Sequence, residues 1–141
     1  MRIASRFSIA VHILTLCEVD PLGAPTSEWM AGSIGVNAVI VRNITGQLRR
    51  AGLVTARQGV AGTSLAKPLE QISLLDVYRA VEVDGELFAI HPRPNPDCPV
   101  GANIQSSLED VFHEAQEAME ARLAATSVRE IATTIQEKAS I

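Results

Sequence analysis

Arginines and side-chain amides gather in one stretch of this chain. Asn37, Arg42 and Asn43 lie within two helical turns, with Ala38 and Val39 among them, and Arg49 and Arg50 follow one to two turns later. The forked donors of arginine, and the paired donor and acceptor of a side-chain amide, match the guanine and adenine edges that a duplex exposes in its major groove. At helical spacing, Val39, Asn43, Gly46 and Arg50 centre on one stripe, flanked by Arg42 and Gln47. Val41, Ile44 and Leu48 fall on the opposite stripe and are expected in the core. The first residues of a groove-reading helix reach bases and later ones meet phosphates. Asn37, Ala38, Val39, Arg42 and Asn43 are therefore expected beside bases, and Arg49 and Arg50 at backbone or structural positions. A solvated polar helix face is the alternative.

Cys98 is a second candidate for chemistry. If Pro99 is the first helical residue, a position proline favours, Cys98 is the N-cap. The unpaired N–H groups and positive end of the helix then favour its thiolate, the form that reacts with oxidants and electrophiles. Arg93, and His91 when protonated, are expected to act the same way. An inert, buried thiol is the alternative, and it is the reading preferred for Cys17 on a crowded apolar helix. His91, Cys98 and His113 have metal-ligating side chains, but their spacing matches no compact site, so no metal is expected. His12 reads as a helix-surface residue.

These groups belong to a chain of 141 residues, 47% hydrophobic and 20% charged, enough to close one core and too apolar for a disordered segment. No apolar run approaches the roughly 18 residues of a membrane span, and no leader pattern opens the sequence, so a soluble, cytoplasmic protein without membrane association is expected. Two cysteines cannot make a disulfide framework. The net charge of −4 is unevenly spread. Up to Lys67, seven basic residues (Arg2, Arg6, Arg42, Arg49, Arg50, Arg57, Lys67) meet three acidic ones (Glu18, Asp20, Glu28), a net +4. The remainder holds five basic and thirteen acidic residues, a net −8. That asymmetry suits a cationic face for a polyanion on an acidic body, with chance clustering as the alternative.

The positioning elements follow from periodicity and caps. Ser5 is placed to cap a helix over about 6–17. Phe7, Ala10, Val11 and Leu14 make one apolar face and Ile9, Ile13 and Leu16 much of the other, so this helix needs cover on two sides, and a second subunit is the expected second cover. After a turn marked by Pro21, Gly23 and Pro25, Thr26 or Ser27 caps a short helix to about Ile34. Gly35 ends it, Val36 packs inward, and Asn37 caps a helix over about 38–51 that stops at Gly52. Two helices joined by a short glycine-containing turn form a helix-turn-helix. Strands are expected over 53–57 and 63–66 around a glycine-flanked loop. A hairpin directly after such a helix is a wing, with Arg57 at its base within reach of a phosphate or the minor groove; a plain surface hairpin is the alternative.

In the second half, Ser73-Leu74-Leu75-Asp76 makes a capping box for a helix to about Val83, with Leu74, Val77, Tyr78 and Val81 inward, broken by Asp84-Gly85-Glu86. Pro92, Pro94, Pro96 and Pro99 exclude a helix interior or central strand from the loop before Cys98. A long helix is expected over about 99–125. Ile104, Leu108, Val111, Phe112, Ala115, Met119 and Leu123 form its apolar seam for dimerisation, opposite acidic faces; packing within one chain is the alternative. Ser127-Val128-Arg129-Glu130 is a second capping box, opening a terminal helix. Two regions are expected, 1–83 as the DNA-binding region and 84–141 as loop, dimerisation helix and short terminal helix. The fold class is mainly α with a small hairpin wing.

Several segments resemble the Rrf2 family of bacterial transcription regulators: 5–10 (SRFSIA), 37–42 (NAVIVR), 48–54 (LRRAGLV), 65–67 (LAK) and 74–82 (LLDVYRAVE). The likeness covers almost the whole chain in the family's order, and 91–101 (HPRPNPDCPVG) looks like the branch without an iron–sulfur cluster. The resemblance implies a dimeric winged-helix protein, usually a repressor, whose long helices cross between subunits. It places base-reading positions at Asn37, Val39, Arg42 and Asn43 and a wing arginine at Arg57. Cluster-binding members have three cysteines in the loop; Cys98 stands alone at the last of these positions, so no cofactor is expected. Ala38 replaces a common proline, and Thr63-Ser64 replaces the usual glycine-aromatic pair.

The expected function is a homodimeric, sequence-specific DNA-binding regulator, a repressor of two-fold symmetric sites, with Cys98 as a redox-sensing thiol. The alternative is a thiol or small-ligand sensor acting through a protein partner. No Gly-rich phosphate loop, nucleophile elbow or HExxH motif occurs, so an enzyme is not expected.

Overall fold

The computed structural model describes residues 4–56, 59–82, 88 and 90–140. Helix α1 (Ala4–Val19) runs through the centre of the N-terminal unit. Around it lie α2 (Ser27–Ile34), α3 (Ala38–Arg50), the strands β1 (Val54–Thr55) and β2 (Ser64–Leu65), a 3-10 turn (Leu69–Gln71) and α4 (Leu74–Val81). Ala10, Ile13, Leu14 and Cys17 of α1 meet Met30, Val41, Ile44, Leu48, Val77 and Val81 in one buried cluster. Each of those aliphatic side chains contributes roughly 1.5–3 kcal/mol by leaving water.

Local signals set the boundaries. The Thr26 hydroxyl accepts from Trp29 N–H at the start of α2, and Asn37 Oδ1 accepts from Ile40 N–H at 3.0 Å at the start of α3. Gly35, at φ 84°, ends α2 in the left-handed conformation, returning its N–H to Ala31 O. Ser73 and Ser127 each complete a capping box, with Asp76 and Glu130 respectively. The two boxes sit side by side: Leu74 N–H donates to Thr126 O and Val128 N–H to Ile72 O, both at 2.8 Å. The start of α6 (Val128–Ala139) is thereby tied to the start of α4. Arg129 strengthens the joint, pairing with Glu18 of α1 and with Glu70 of the 3-10 turn.

Several expectations are corrected. Helix α1 begins at Ala4, so Ser5 lies inside its first turn and is not its cap. Helices α2, α3, α4 and α6 of the same chain supply much of the cover that α1 needs. An apolar groove of about 470 Å³ stays open along Phe7, Val11, Leu74, Ile131 and Ile135. The strands are two residues each, paired Val54 with Leu65 and Thr55 with Ser64. Thr63 N–H turns instead to Pro25 O at 3.1 Å, ending the ladder. Helix α4 stops at Val81, Glu82 being extended; the expected breaker 84–86 lies outside the described residues.

Helix α5 (Pro99–Ala124) differs from the rest: none of its residues is buried. Ile104, Leu108, Phe112, Ala115, Met119 and Leu123 of the expected seam are half-buried, and Val111 is 59% exposed. Its hold on the body includes the Arg79–Glu120 ion pair at 3.0 Å and the stacking of Phe112 on Phe88.

Candidate nucleic-acid interface

Two faces of α3 divide cleanly. Val41, Ile44, Thr45 and Leu48 are buried against the core. Val39, Arg42, Asn43, Arg49 and Arg50 are exposed on the other side. The helix-turn-helix therefore has the form the sequence suggested, with α3 presented outward by α2 and by the Gly35–Val36 turn. The caps and core contacts fix its orientation, and the outward side chains face solvent.

The expected base-proximal residues are not equivalent. Asn37 spends its amide oxygen on the α3 cap, which leaves its Nδ2 as a donor. Ala38 is half-buried against the core cluster. Val39 is 55% exposed, an apolar side chain of the kind that meets a thymine methyl. Arg42 reaches back to α2, donating from Nη1 to Glu28 Oε1 at 3.0 Å. Asn43 is exposed beside it. Gln47, expected to flank this stripe, is instead half-buried, its Oε1 enclosed without a hydrogen-bond partner among the described residues, as is Thr45 Oγ1. Among the described residues, no carboxylate pairs with Arg49 or Arg50 at the end of α3.

Behind α3, the hairpin is anchored rather than free. Cys17 Sγ donates to Thr63 O at 3.4 Å, and Gly62 at φ 103° passes so close to the α1–α2 connection that a Cβ there would stand 2.1 Å from Ala24 O. Only glycine fits that crossing. Burial, reinforced by the charge of Asp20, pushes the Cys17 thiol up to about 12, so it is a core group. Arg57, expected at the wing's base, lies outside the described residues.

Sequence reasoning missed two residues of this face: Ile40, 38% exposed at the start of α3, and Glu28. Glu28 stands fourteen positions before Arg42 on another helix, and no spacing rule pairs them.

At the far end of the chain, Cys98 is the exposed N-cap of α5, with Pro99 at the first turn as expected. No capping hydrogen bond to Sγ forms, yet the nearby Gly101 and Val100 N–H groups hold the thiol's pKa below its ordinary value. Those N–H groups, and not Arg93 or His91, are the cause. His12, expected on the surface, is half-buried at the apolar groove with Nε2 3.2 Å from Ser33 Oγ, and burial lowers its pKa.

A helical core, an outward helix-turn-helix and a short antiparallel hairpin define a winged-helix DNA-binding transcription regulator. The chain belongs to the Rrf2 family: that family's model, described as an iron-dependent transcriptional regulator, matches residues 3–134. It is 46% identical over 129 residues to YwnA of Bacillus subtilis, described as an HTH-type transcriptional regulator, covering 92% of this chain and 96% of that one. A crystal structure described as a DNA binding protein superposes with a TM-score of 0.75 at 41% identity, covering 90% of this chain and 98% of the other. A transcriptional regulator from Lactobacillus plantarum superposes at 0.80 with 25% identity, over 93% of this chain and 89% of its own.

The family description raises iron. An iron–sulfur cluster needs several thiolate or imidazole donors converging on one place. Cys98 is the single thiol of its loop, Cys17 is buried in the core, and no group of three or more His, Cys, Asp or Glu converges among the described residues. The residues present do not fit such a cluster. Among the described residues, no helix is long and apolar enough to cross a membrane.

Proposed function

We propose that this protein is a homodimeric, sequence-specific DNA-binding repressor that places α3 of each subunit in successive major grooves, about one helical turn apart. The observation that carries this reading is the division of α3 into a closed apolar face and an outward face of Val39, Arg42, Asn43, Arg49 and Arg50. Val39, Arg42 and Asn43, with the free donor of Asn37 beside the backbone of Ala38, read bases. Arg49 and Arg50 meet phosphates, and Arg57 meets a phosphate or the minor groove. The half-exposed seam of α5 supports the dimer, because an apolar stripe of that length stays in water only at a cost.

Cys98 serves as the input. Its favoured thiolate attacks one oxygen of hydrogen peroxide; an S–O bond forms, the O–O bond breaks, hydroxide leaves, and the sulfur is oxidised by two electrons to a sulfenic acid. Lying at the start of the dimer helix, this change can alter the spacing of the two α3 helices.

Titration of genomic fragments over a salt series tests the reading. Arg42→Ala relaxes base preference, whereas Arg49→Ala weakens all duplexes alike and lowers the salt slope by about 1. A salt slope near zero for the parent favours a protein partner for the same surface and sinks the DNA reading.

A further inference from the structure

Beside the outward face of α3 stands a group of α2 that groove reading by itself does not explain, the carboxylate of Glu28. Three acidic residues precede Glu70 in the sequence, and two have structural tasks. Glu18 pairs with Arg129, and Asp20 accepts the Leu22 and Ala24 N–H groups at 3.2 Å. Glu28 instead stands in the first turn of α2, 71% exposed, and accepts from Arg42 Nη1 at 3.0 Å. With Arg49 the pair lines a cleft of about 280 Å³ bounded by α2, α3 and the hairpin.

A carboxylate on a surface that meets phosphates opposes association, and an exposed ion pair adds little to stability. What it does to Arg42 supplies a value that outweighs that cost. An unpaired arginine side chain samples many rotamers, and ordering it costs part of any contact it makes. A hydrogen bond through Nη1 fixes the plane of the guanidinium and leaves its Nε–Nη2 edge free. That edge carries two parallel N–H groups, the pattern that fits N7 and O6 of guanine.

We propose that Glu28 is a positioning residue for sequence readout, holding Arg42 by Nη1 so that the Nε–Nη2 edge meets a guanine. The inference rests on the reading of α3 as the groove-reading helix. Glu28 then raises discrimination at one base pair in each half-site while lowering attraction to DNA in general.

A competing role is charge at the start of α2, where a carboxylate suits the helix dipole. Two variants separate them. Glu28→Asp keeps that charge but is one methylene shorter, and Glu28→Gln keeps the length but loses the charge. The experiment measures competition among duplexes carrying each base at every position of a selected genomic fragment, for the parent, E28D, E28Q, R42A and the E28Q/R42A double variant. Arg42→Ala is expected to cost about tenfold in preference at one base pair per half-site. Both Glu28 variants are expected to lose about threefold to fivefold at that same base pair, and E28Q to bind a scrambled duplex no more weakly than the parent. In the double variant the preference is no lower than in R42A. Parent-like discrimination by E28D, or an equal further loss from E28Q in the R42A background, overturns the positioning role while leaving the DNA reading intact. A parent that prefers no duplex overturns both.

Discussion

Helices α3 and α5 both present long faces to water, and they do so for opposite reasons. In α3 the core stripe is closed, Val41, Ile44 and Leu48 being no more than 2% exposed, and what remains outside is cationic and amide-bearing apart from Val39 and Ile40. In α5 no residue is buried, and the apolar seam is left half-covered, with Val111 at 59% exposed. A polar face over a finished core is a surface waiting for a polar ligand. An apolar seam over an unfinished one suits the second subunit of the proposed dimer. The two regions therefore separate the proposed tasks, recognition in the first and assembly in the second.

The strongest way to break this contrast is to charge the α5 seam. Leu108→Glu combined with Met119→Glu should weaken self-association by at least about a hundredfold, measured by sedimentation velocity, while the circular dichroism of the N-terminal unit is kept. An unchanged association state would mean the seam is covered within one chain.

Next in size is Gly62→Ala. A Cβ at 2.1 Å from Ala24 O, on a backbone at φ 103°, forces the hairpin away from the α1–α2 connection. Thermal or denaturant unfolding should show a loss of about 2 kcal/mol or more, with duplex binding reduced in parallel. Retained stability would show that the hairpin is not anchored to α1 as described.

A smaller effect is expected at the joint between the two regions. Hydrogen bonding to Arg129 holds the Glu70 carboxyl below its ordinary value of 4.5. A carboxylate with a lowered folded-state pKa stabilises above its unfolded value and ceases to as pH falls through the folded one. Amide protection across α6, taken relative to the intrinsic exchange rate at each pH, should therefore fall on acidification below about pH 4.5, and Arg129→Ala should lower it already at neutral pH. Protection that ignores both changes would remove the clamp.

The smallest perturbation is chemical. Cys98 should alkylate with a midpoint below the 9.0 of an unperturbed thiol, and Cys17, at about 12 and buried, should not react in the folded protein. Mass spectrometry of iodoacetamide-treated protein across a pH series checks both, and Cys98→Ser should abolish the fast reaction.

Much of this was legible in the sequence because it is local. The Asn37 cap, the Gly35 stop, both capping boxes and the proline at the start of α5 are each set within a few residues, and each stands where spacing placed it. The contrast between Val41, Ile44 and Leu48 and the outward stripe was likewise a matter of helical period. What spacing could not supply was anything joining distant segments. The pairing of Glu28 with Arg42, the Arg129 clamp on Glu18 and Glu70, and the diversion of Thr63 N–H to Pro25 O that shortens the strands all depend on how elements cross. Gln47 turned inward for the same reason: its position between the two stripes left its direction to tertiary packing.

The central claim is that two chains read one duplex together. The direct test is the mass of the protein–DNA complex, by sedimentation equilibrium, on the fragment the protein selects from genomic DNA and on a scrambled duplex of equal length. The account predicts two chains per selected duplex and a clear preference over the scrambled one, both lost together when the α5 seam is charged. A single chain per duplex that still prefers the selected sequence would contradict it.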